Sequence, residues 1–221
     1  MMNKKTFSLI TILLISSLVS YTQDLKFNGY ASYVFNDRFD SRYDASNYYY
    51  GKINDGFRWG GGIEYKIGDD YGVELSYQRM NTNVPLYYYY NGQKYTNYKV
   101  GENFIMLGSN RYFDINNDKL ELYSGAQAGV LIIRYTNPDN GNSGTITKFS
   151  WGLKAGSDIW ITDQLGIKIQ AQLLSAIQSV GADIYIGTGG SGAGVTGNSS
   201  ILQFGIGGGI CYKLSSDKKK K

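Results

Sequence analysis

Apolar and polar residues alternate with period two along most of the chain after residue 24. In the segment 165–172, Ile167 and Ile169 alternate with Lys168 and Gln170. Because successive side chains of a strand point to opposite faces, this pattern predicts β-strands with one apolar and one polar face. Eight strands are predicted, at 25–36, 56–67, 71–80, 98–113, 119–136, 148–160, 165–172 and 202–214. The register of the fourth strand is left open by the run 104–107, where a β-bulge is an alternative.

The gaps between these strands alternate in length. Short gaps, at 68–70, 114–118 and 162–164, are interspersed with long ones, at 37–55, 81–97 and 179–200, and with one of intermediate length, at 137–144. This alternation places every short turn at one end of an up-and-down sheet and every long loop at the other. An even number of strands with segregated turn lengths is typical of outer-membrane barrels. The sequence therefore predicts an all-β fold, an eight-stranded antiparallel transmembrane barrel with long loops at the cell surface.

Aromatic residues cluster at the ends of the predicted strands, as expected of girdles at the two membrane interfaces. Those near the short gaps are Tyr65, Tyr71, Phe113, Trp160 and Tyr212, and those near the long gaps are Phe35, Phe57, Trp59, Tyr77, Phe149 and Trp151. The alternative is a soluble, periplasmic, lipocalin-like carrier, which would turn its apolar faces inward. The girdles, and the many glycines opposite the apolar residues, favour the membrane barrel.

The N-terminal segment has the features of a secretory signal peptide. Lys4 and Lys5 precede an apolar run, 7–19, which is shorter than the roughly 20 residues that a membrane-spanning helix needs. Cleavage is expected after Thr22, with cleavage after Ser20 as the alternative. The predicted organisation is a signal peptide at 1–22, a barrel at 23–214 and a Lys-rich periplasmic tail at 215–221.

Composition excludes several function classes. The chain has 22 Lys and Arg against 18 Asp and Glu, and six of the lysines lie at the two chain ends, so the barrel itself is near neutral. A nucleic-acid-binding surface is therefore not expected. The absence of His excludes His-dependent catalytic triads and HExxH metal sites, and the single Cys excludes an intrachain disulfide. No catalysis, no metal site and no cofactor is predicted.

Together with the signal peptide and the eight strands, the last strand resembles the small bacterial outer-membrane β-barrel family of the OmpA/OmpX type. The segment 209–214 is similar to the terminal signal read by the barrel-assembly machinery, with Gly209, Tyr212 and Leu214 at the matching positions. The chain departs from this pattern at Gly207, where a polar residue is usual, and in the seven residues after Leu214. The resemblance implies a monomer in the cell outer membrane, in contact with outer-membrane lipids and with the assembly machinery during biogenesis.

Charged residues on the polar faces of four strands are expected to meet inside the barrel. They are Arg58, Glu64, Lys66, Glu74, Lys154, Asp158 and Lys168. An eight-stranded barrel has an interior only wide enough for side chains to fill, and unpaired buried charges are strongly destabilising. A structural plug of ion pairs is therefore favoured over a gated polar pathway.

Two runs of tyrosine fall in the long gaps. They comprise Tyr48, Tyr49, Tyr50, Tyr87, Tyr88, Tyr89 and Tyr90. Tyr offers a large, rigid contact area, which suits recognition, but these rings could equally thicken the outer girdle. The predicted function is a non-enzymatic surface protein whose Tyr-rich loops serve adhesion to an unknown extracellular ligand or surface, and which supports envelope integrity. The alternatives are a narrow channel or small-ligand transport barrel, and the soluble carrier.

Overall fold

The computed structural model describes residues 25–44, 47–89, 93–115, 117, 119–176, 184–185, 192–193 and 201–214. For 39–44, 47–49, 88, 89, 93 and the two short strands between 176 and 201, only the backbone is described. The predicted signal peptide, the Lys-rich tail and Tyr90 lie outside the described residues.

Every regular element of the described chain is a β-strand. The strands are β1 Leu25–Val34, β2 Asp37–Asp44, β3 Asn47–Ile53, β4 Gly56–Ile67, β5 Tyr71–Tyr89, β6 Gln93–Phe113, β7 Leu120–Thr136, β8 Ser143–Trp160, β9 Leu165–Ala176, β10 Ile184–Tyr185, β11 Gly192–Ala193 and β12 Ile201–Leu214. Within the described residues, no helix is long and apolar enough to cross a membrane.

Eight of these strands close into one barrel. Going round, the order is β5, β4, β1, β12, β9, β8, β7 and β6, and β6 pairs with β5 again. All pairings are antiparallel, and the first and last strands meet with Leu25 opposite Leu214. The predicted fold class is confirmed. The turns 68–70, 114–119 and 161–164 define what we call the short-turn end, and the opposite end is the long-loop end.

The long-loop end contains more β-structure than the sequence pattern predicts. The prediction of a loop at 81–97 is wrong, because β5 and β6 remain paired through this segment, from Asn81 opposite Gly101 to Tyr89 opposite Gln93. The first long gap holds the β2–β3 hairpin, and β3 pairs with this extension of β5. We refer to the part of β5 and β6 beyond residue 80 as the projecting hairpin. The β6–β5 register is regular, so the bulge considered at 104–107 is also wrong.

The barrel turns its apolar faces outward. Ile63, Leu107 and Ile210 are among the large apolar side chains that are more than half exposed on the outer surface. On β4 this face runs from Phe57 to Ile67, about 33 Å along the strand and about 23 Å across a membrane at a tilt near 45°. This height matches the apolar band of an outer-membrane barrel. The lipocalin-like alternative is wrong, because such a carrier would bury these residues.

The aromatic girdles are outward with one exception. Tyr65, Tyr71, Phe113 and Tyr212 are exposed near the short-turn end, as are most of their counterparts near the long-loop end. The prediction that Trp160 belongs to the outer girdle is wrong. Its side chain is buried at the short-turn end, where the centre of the ring lies 3.8 Å from Lys213 Nζ.

Candidate functional site

The half of the lumen nearer the short-turn end holds a network of buried ion pairs, which we call the charged cluster. Its members are Lys26, Glu64, Glu74, Lys154, Asp158 and Lys168. Lys26 Nζ lies 2.8 Å from Glu64 Oε2 and 2.9 Å from Asp158 Oδ2. Lys168 Nζ approaches the other oxygen of Asp158 at 2.6 Å. Three lysines therefore balance three carboxylates in a space from which solvent is excluded.

Glu74 joins the second part of this cluster. It forms an ion pair with Lys154 and accepts a hydrogen bond from the Tyr30 hydroxyl. The amide nitrogen of Asn28 bridges the two glutamates, donating to Glu74 Oε1 at 2.8 Å and to Glu64 Oε2 at 3.1 Å. The two glutamates are opposite each other on β4 and β5, so this bridge and the lysines offset their mutual repulsion.

Residues of β6 and β7 complete the coordination. Asn110 Nδ2 donates to Glu64 Oε1 at 2.8 Å, and the Tyr112 hydroxyl donates to the same oxygen. On β7, the Tyr123 hydroxyl donates to Gln170 at 2.8 Å, and its ring lies 4.1 Å from Lys168 Nζ. Charge-assisted hydrogen bonds of this kind offset the desolvation of the buried carboxylates.

Lys66 belongs to a separate group at the short-turn end. Its Nζ lies 3.1 Å from Glu121 Oε1, and Lys213 approaches the same oxygen at 2.9 Å. These side chains are partly exposed, unlike the charged cluster. The group therefore lines the mouth of the barrel and does not extend the cluster.

Arg58 lies apart from the other predicted lumen residues, towards the long-loop end. It pairs with Glu102 across 3.5 Å and donates to Gln203, which in turn donates to Glu102 at 2.9 Å. The guanidinium carbon lies 4.7 Å from the centre of the Phe104 ring. Arg58 and Glu102 are each 1% exposed, so this pair is as inaccessible to solvent as the charged cluster.

Beyond this pair, two clusters of buried apolar side chains lie in the long-loop half of the lumen. Its larger cluster consists of Phe104, Met106, Leu131, Ile133, Ile146, Leu174 and Ala176, and a smaller one of Val34, Ile53 and Met80. Leu131 and Leu174 have no exposed surface. We call these two clusters together the apolar plug.

Several lumen residues were missed by the sequence pattern. Lys26 lies on the polar face of the first strand, and this position was the only indication in the sequence that its side chain faces the lumen. Glu102 was missed because the register of β6 was open. Placing Ile105 and Leu107 on the outer face would have turned Glu102 inward. The described residues contain no group of three or more potential metal-ligating His, Cys, Asp or Glu side chains.

Tyrosines form a row on the outer face of the projecting hairpin. Tyr50 of β3 is opposite Tyr87 of β5, which is opposite Tyr95 of β6. The ring centres of Tyr87 and Tyr95 are 4.8 Å apart, and those of Tyr50 and Tyr87 are 6.3 Å apart. Tyr87 and Tyr95 are 40% and 52% exposed. We call these three residues the tyrosine row.

Four further predicted tyrosines lie on the strands that carry the tyrosine row. Tyr48 and Tyr49 lie on β3, and Tyr88 and Tyr89 lie at the end of β5, but their side chains are outside the described residues. Tyr95 completes the row from the opposite strand, which could not be foreseen while the gap 81–97 was taken as a loop.

Rim contacts anchor the β2–β3 hairpin to the barrel. The backbone N–H of Leu202 donates to Asp37 Oδ2 at 2.9 Å, and burial raises the pKa of the Asp37 carboxyl. At the start of β4, the Tyr33 hydroxyl donates to Asp55 Oδ2 at 2.5 Å. This hydrogen bond lowers the pKa of the exposed Asp55 carboxyl. These contacts fix where the hairpin leaves the barrel.

The predicted assembly residues lie on the closing seam between β12 and β1. Gly209 is opposite Tyr30, Tyr212 opposite Phe27, and Leu214 opposite Leu25. At Gly209 the backbones approach so closely that an added Cβ would fall 1.7 Å from the Gly29 carbonyl oxygen. Packing therefore requires a glycine here, whether or not the barrel-assembly machinery also recognises it.

Comparison with known proteins identifies the fold. Neisserial surface protein A (NspA) aligns with a TM-score of 0.54 at 16% identity, over 86% of this chain and 97% of that one. The outer membrane protein OprG from Pseudomonas aeruginosa aligns with a TM-score of 0.57 at 12% identity, over 89% and 98%. No family model and no curated protein matches the sequence. At these identities the likeness establishes the fold alone, that of the small bacterial outer-membrane barrels, which confirms the resemblance at that level.

Proposed function

We propose that this chain, a barrel with the fold of small bacterial outer-membrane proteins, is a non-enzymatic protein of the cell outer membrane. It carries a recognition surface on the projecting hairpin. The observation that carries the proposal is the tyrosine row, where three rings from three strands lie side by side and at least two are widely exposed. Exposed aromatic side chains held on paired strands supply contact area at low entropic cost.

Placement in the membrane is supported by the outer surface of the barrel. An apolar belt with aromatic residues at both edges is unfavourable in water and favourable in a bilayer. The projecting hairpin extends beyond this belt at the long-loop end. With both barrel termini on the periplasmic side, the tyrosine row faces the cell exterior.

A structural role for the lumen is supported by its packing. Glu64 and Glu74 resemble an acid–base pair in sequence, but they are 0% and 1% exposed, so a substrate has no access to them. The same dry packing of the charged cluster and the apolar plug is unfavourable for a steady ion path. We therefore propose that the lumen residues stabilise the barrel, and through it the cell envelope, and that recognition takes place on the projecting hairpin.

Protease treatment of intact cells tests location and orientation. We expect cleavage within 81–97 or the first hairpin, 37–55, and protection of the turn 68–70. The full-length chain should sediment with the outer-membrane fraction. Recovery in the soluble periplasmic fraction, or cleavage confined to the short turns, would contradict the proposal.

Replacing the tyrosine row by serine tests recognition. In the triple variant Tyr50→Ser, Tyr87→Ser and Tyr95→Ser, attachment of expressing cells to a panel of immobilised glycans and extracellular proteins should fall on the order of tenfold, because buried aromatic anchors dominate interface energies. Barrel assembly should be unchanged, since the row lies outside the bilayer-spanning ladder.

The matched control keeps the rings. The triple Tyr-to-Phe variant at the same positions should retain most of the attachment, because ring area is preserved. If the serine variant fails to assemble, the row is structural girdle. If it assembles and attaches normally, the recognition surface lies elsewhere.

A further inference from the structure

A concave basic groove lies on the outer face of β5, β6 and β7 near the long-loop end. It has a volume of about 410 Å³ and is lined by polar and basic residues that include Arg79, Asn81, Asn83, Lys99, Arg134 and Thr136. Its floor is Gly101, which is opposite both Asn81 and Arg134. Because Gly101 has no side chain, the neighbouring side chains form walls around a depression.

The three positive charges of this groove are uncompensated among the described residues. No described carboxylate forms an ion pair with Arg79, Lys99 or Arg134, although carboxylates pair with most of the lumen cations. The polar contact of the Arg79 guanidinium is with Asn81 Oδ1, at 3.2 Å. Three cations on adjacent strands with neutral donors between them make a site for a group of several negative charges.

The depth of the groove relative to the apolar belt indicates the kind of anion. Directly below it, Tyr77, Ile105 and Val130 form one row across the same three strands, and all three are exposed. Arg79 follows Tyr77 by two residues, about 7 Å along the strand. The groove therefore opens at the level where the apolar belt ends, which in a bilayer is the level of lipid phosphates.

We propose that the groove binds the phosphorylated headgroup of an outer-leaflet glycolipid of the lipid A class, with its acyl chains against the apolar belt. Arg79 and Arg134 hold a phosphate near the belt, and Lys99 reaches it from above along its flexible stem. This inference rests on the proposed outer-membrane location. It adds a specific lipid site on the barrel wall that is separate from the tyrosine row.

Native mass spectrometry of the refolded barrel in dodecyl maltoside tests the site. Lipid A carrying two phosphates is titrated against the wild type and against the variant Arg79→Gln, Lys99→Gln and Arg134→Gln. We expect the triple variant to bind at least about tenfold more weakly, because each basic residue near a lipid headgroup contributes to the attraction. Lipid A stripped of both phosphates should bind the wild type as weakly.

Two controls separate the site from general attraction. The variant Lys52→Gln, Arg111→Gln and Lys119→Gln removes three positive charges outside the groove and should bind like the wild type. The variant Gly101→Val keeps every charge, fills the floor and should weaken binding. Inorganic phosphate at about 10 mM, well below physiological ionic strength, should not displace the lipid, because it has no acyl chains to contact the apolar belt.

Equal binding by the wild type and the groove variant would overturn the proposal, as would equal losses in the groove and control variants. Tight binding of the dephosphorylated lipid, or displacement by inorganic phosphate, would also overturn it. The measurement uses purified barrel, so it succeeds or fails independently of the cell fractionation that tests the location.

Discussion

Replacing Glu74 by Gln is expected to destabilise the barrel by about 3–5 kcal/mol, because it leaves a buried lysine without its counter-charge. Glu74 pairs with Lys154 and both side chains are almost inaccessible to solvent. The substitution preserves the shape of the side chain and removes its charge. Urea unfolding of the refolded protein in detergent micelles, followed by circular dichroism, measures the change in the free energy of unfolding.

The double variant Glu74→Gln and Lys154→Met is the decisive control. Removing both charges together should recover most of the lost stability, because a buried pair can often be replaced by neutral side chains with little effect. Asp69→Asn, in an exposed turn, should change the free energy of unfolding by less than about 0.5 kcal/mol. If the single and double Glu74 variants are equally unstable, neutralising Lys154 is not the role of Glu74, and the hydrogen bonds that its carboxylate accepts from Tyr30 and Asn28 are what the lumen requires.

Replacing Gly209 by Ala is expected to strain the closing seam and to destabilise the barrel by about 3 kcal/mol. The added Cβ would fall 1.7 Å from the carbonyl oxygen of Gly29, so the two backbones must separate. Since β1 and β12 close the barrel, their separation exposes unpaired backbone groups to the bilayer. Urea unfolding in detergent micelles measures the change in the free energy of unfolding, and heat-modifiable migration on gels reports the fraction of refolded chain in closed barrels.

Gly29→Ala is the matched control on the same seam. Its added Cβ would lie 3.3 Å from Ile210 Cγ1, the nearest atom, and this side chain can rotate away. We expect a change within about 1 kcal/mol. The experiment also separates two roles of Gly209. If Gly209→Ala refolds normally in vitro but fails to assemble in cells, the residue is read by the assembly machinery and the packing argument is wrong.

The local pattern of the sequence was sufficient for most of the strands. The segments 56–67 and 165–172 were recognised because a strand between lipid and a packed lumen must alternate strictly. The rule failed at the projecting hairpin, beyond residue 80. There the exposed Asn81 and Asn83 and the buried Thr82 between them are all polar, so hydropathy no longer alternates although the backbone pairing continues.

The candidate sites were foreseen only in part. Placing Glu64 and Glu74 in the lumen needed only their positions on the polar faces. Pairing them needed the barrel, because Lys26 and Asp158 are 132 residues apart and meet only after the sheet has closed. The same holds for the tyrosine row, which no single segment contains.

The sequence by itself therefore determined the all-β class, the eight strands, the polar face of each strand and the grouping of the short turns at one end of the sheet. These follow from period-two alternation and turn length, which are properties of neighbouring residues. The tertiary structure decided which charges pair, that Trp160 turns inward, and that Arg79, Lys99 and Arg134 share one groove. Those outcomes depend on strand register and closure, which are set by contacts between strands distant in the chain, and no local pattern encodes them.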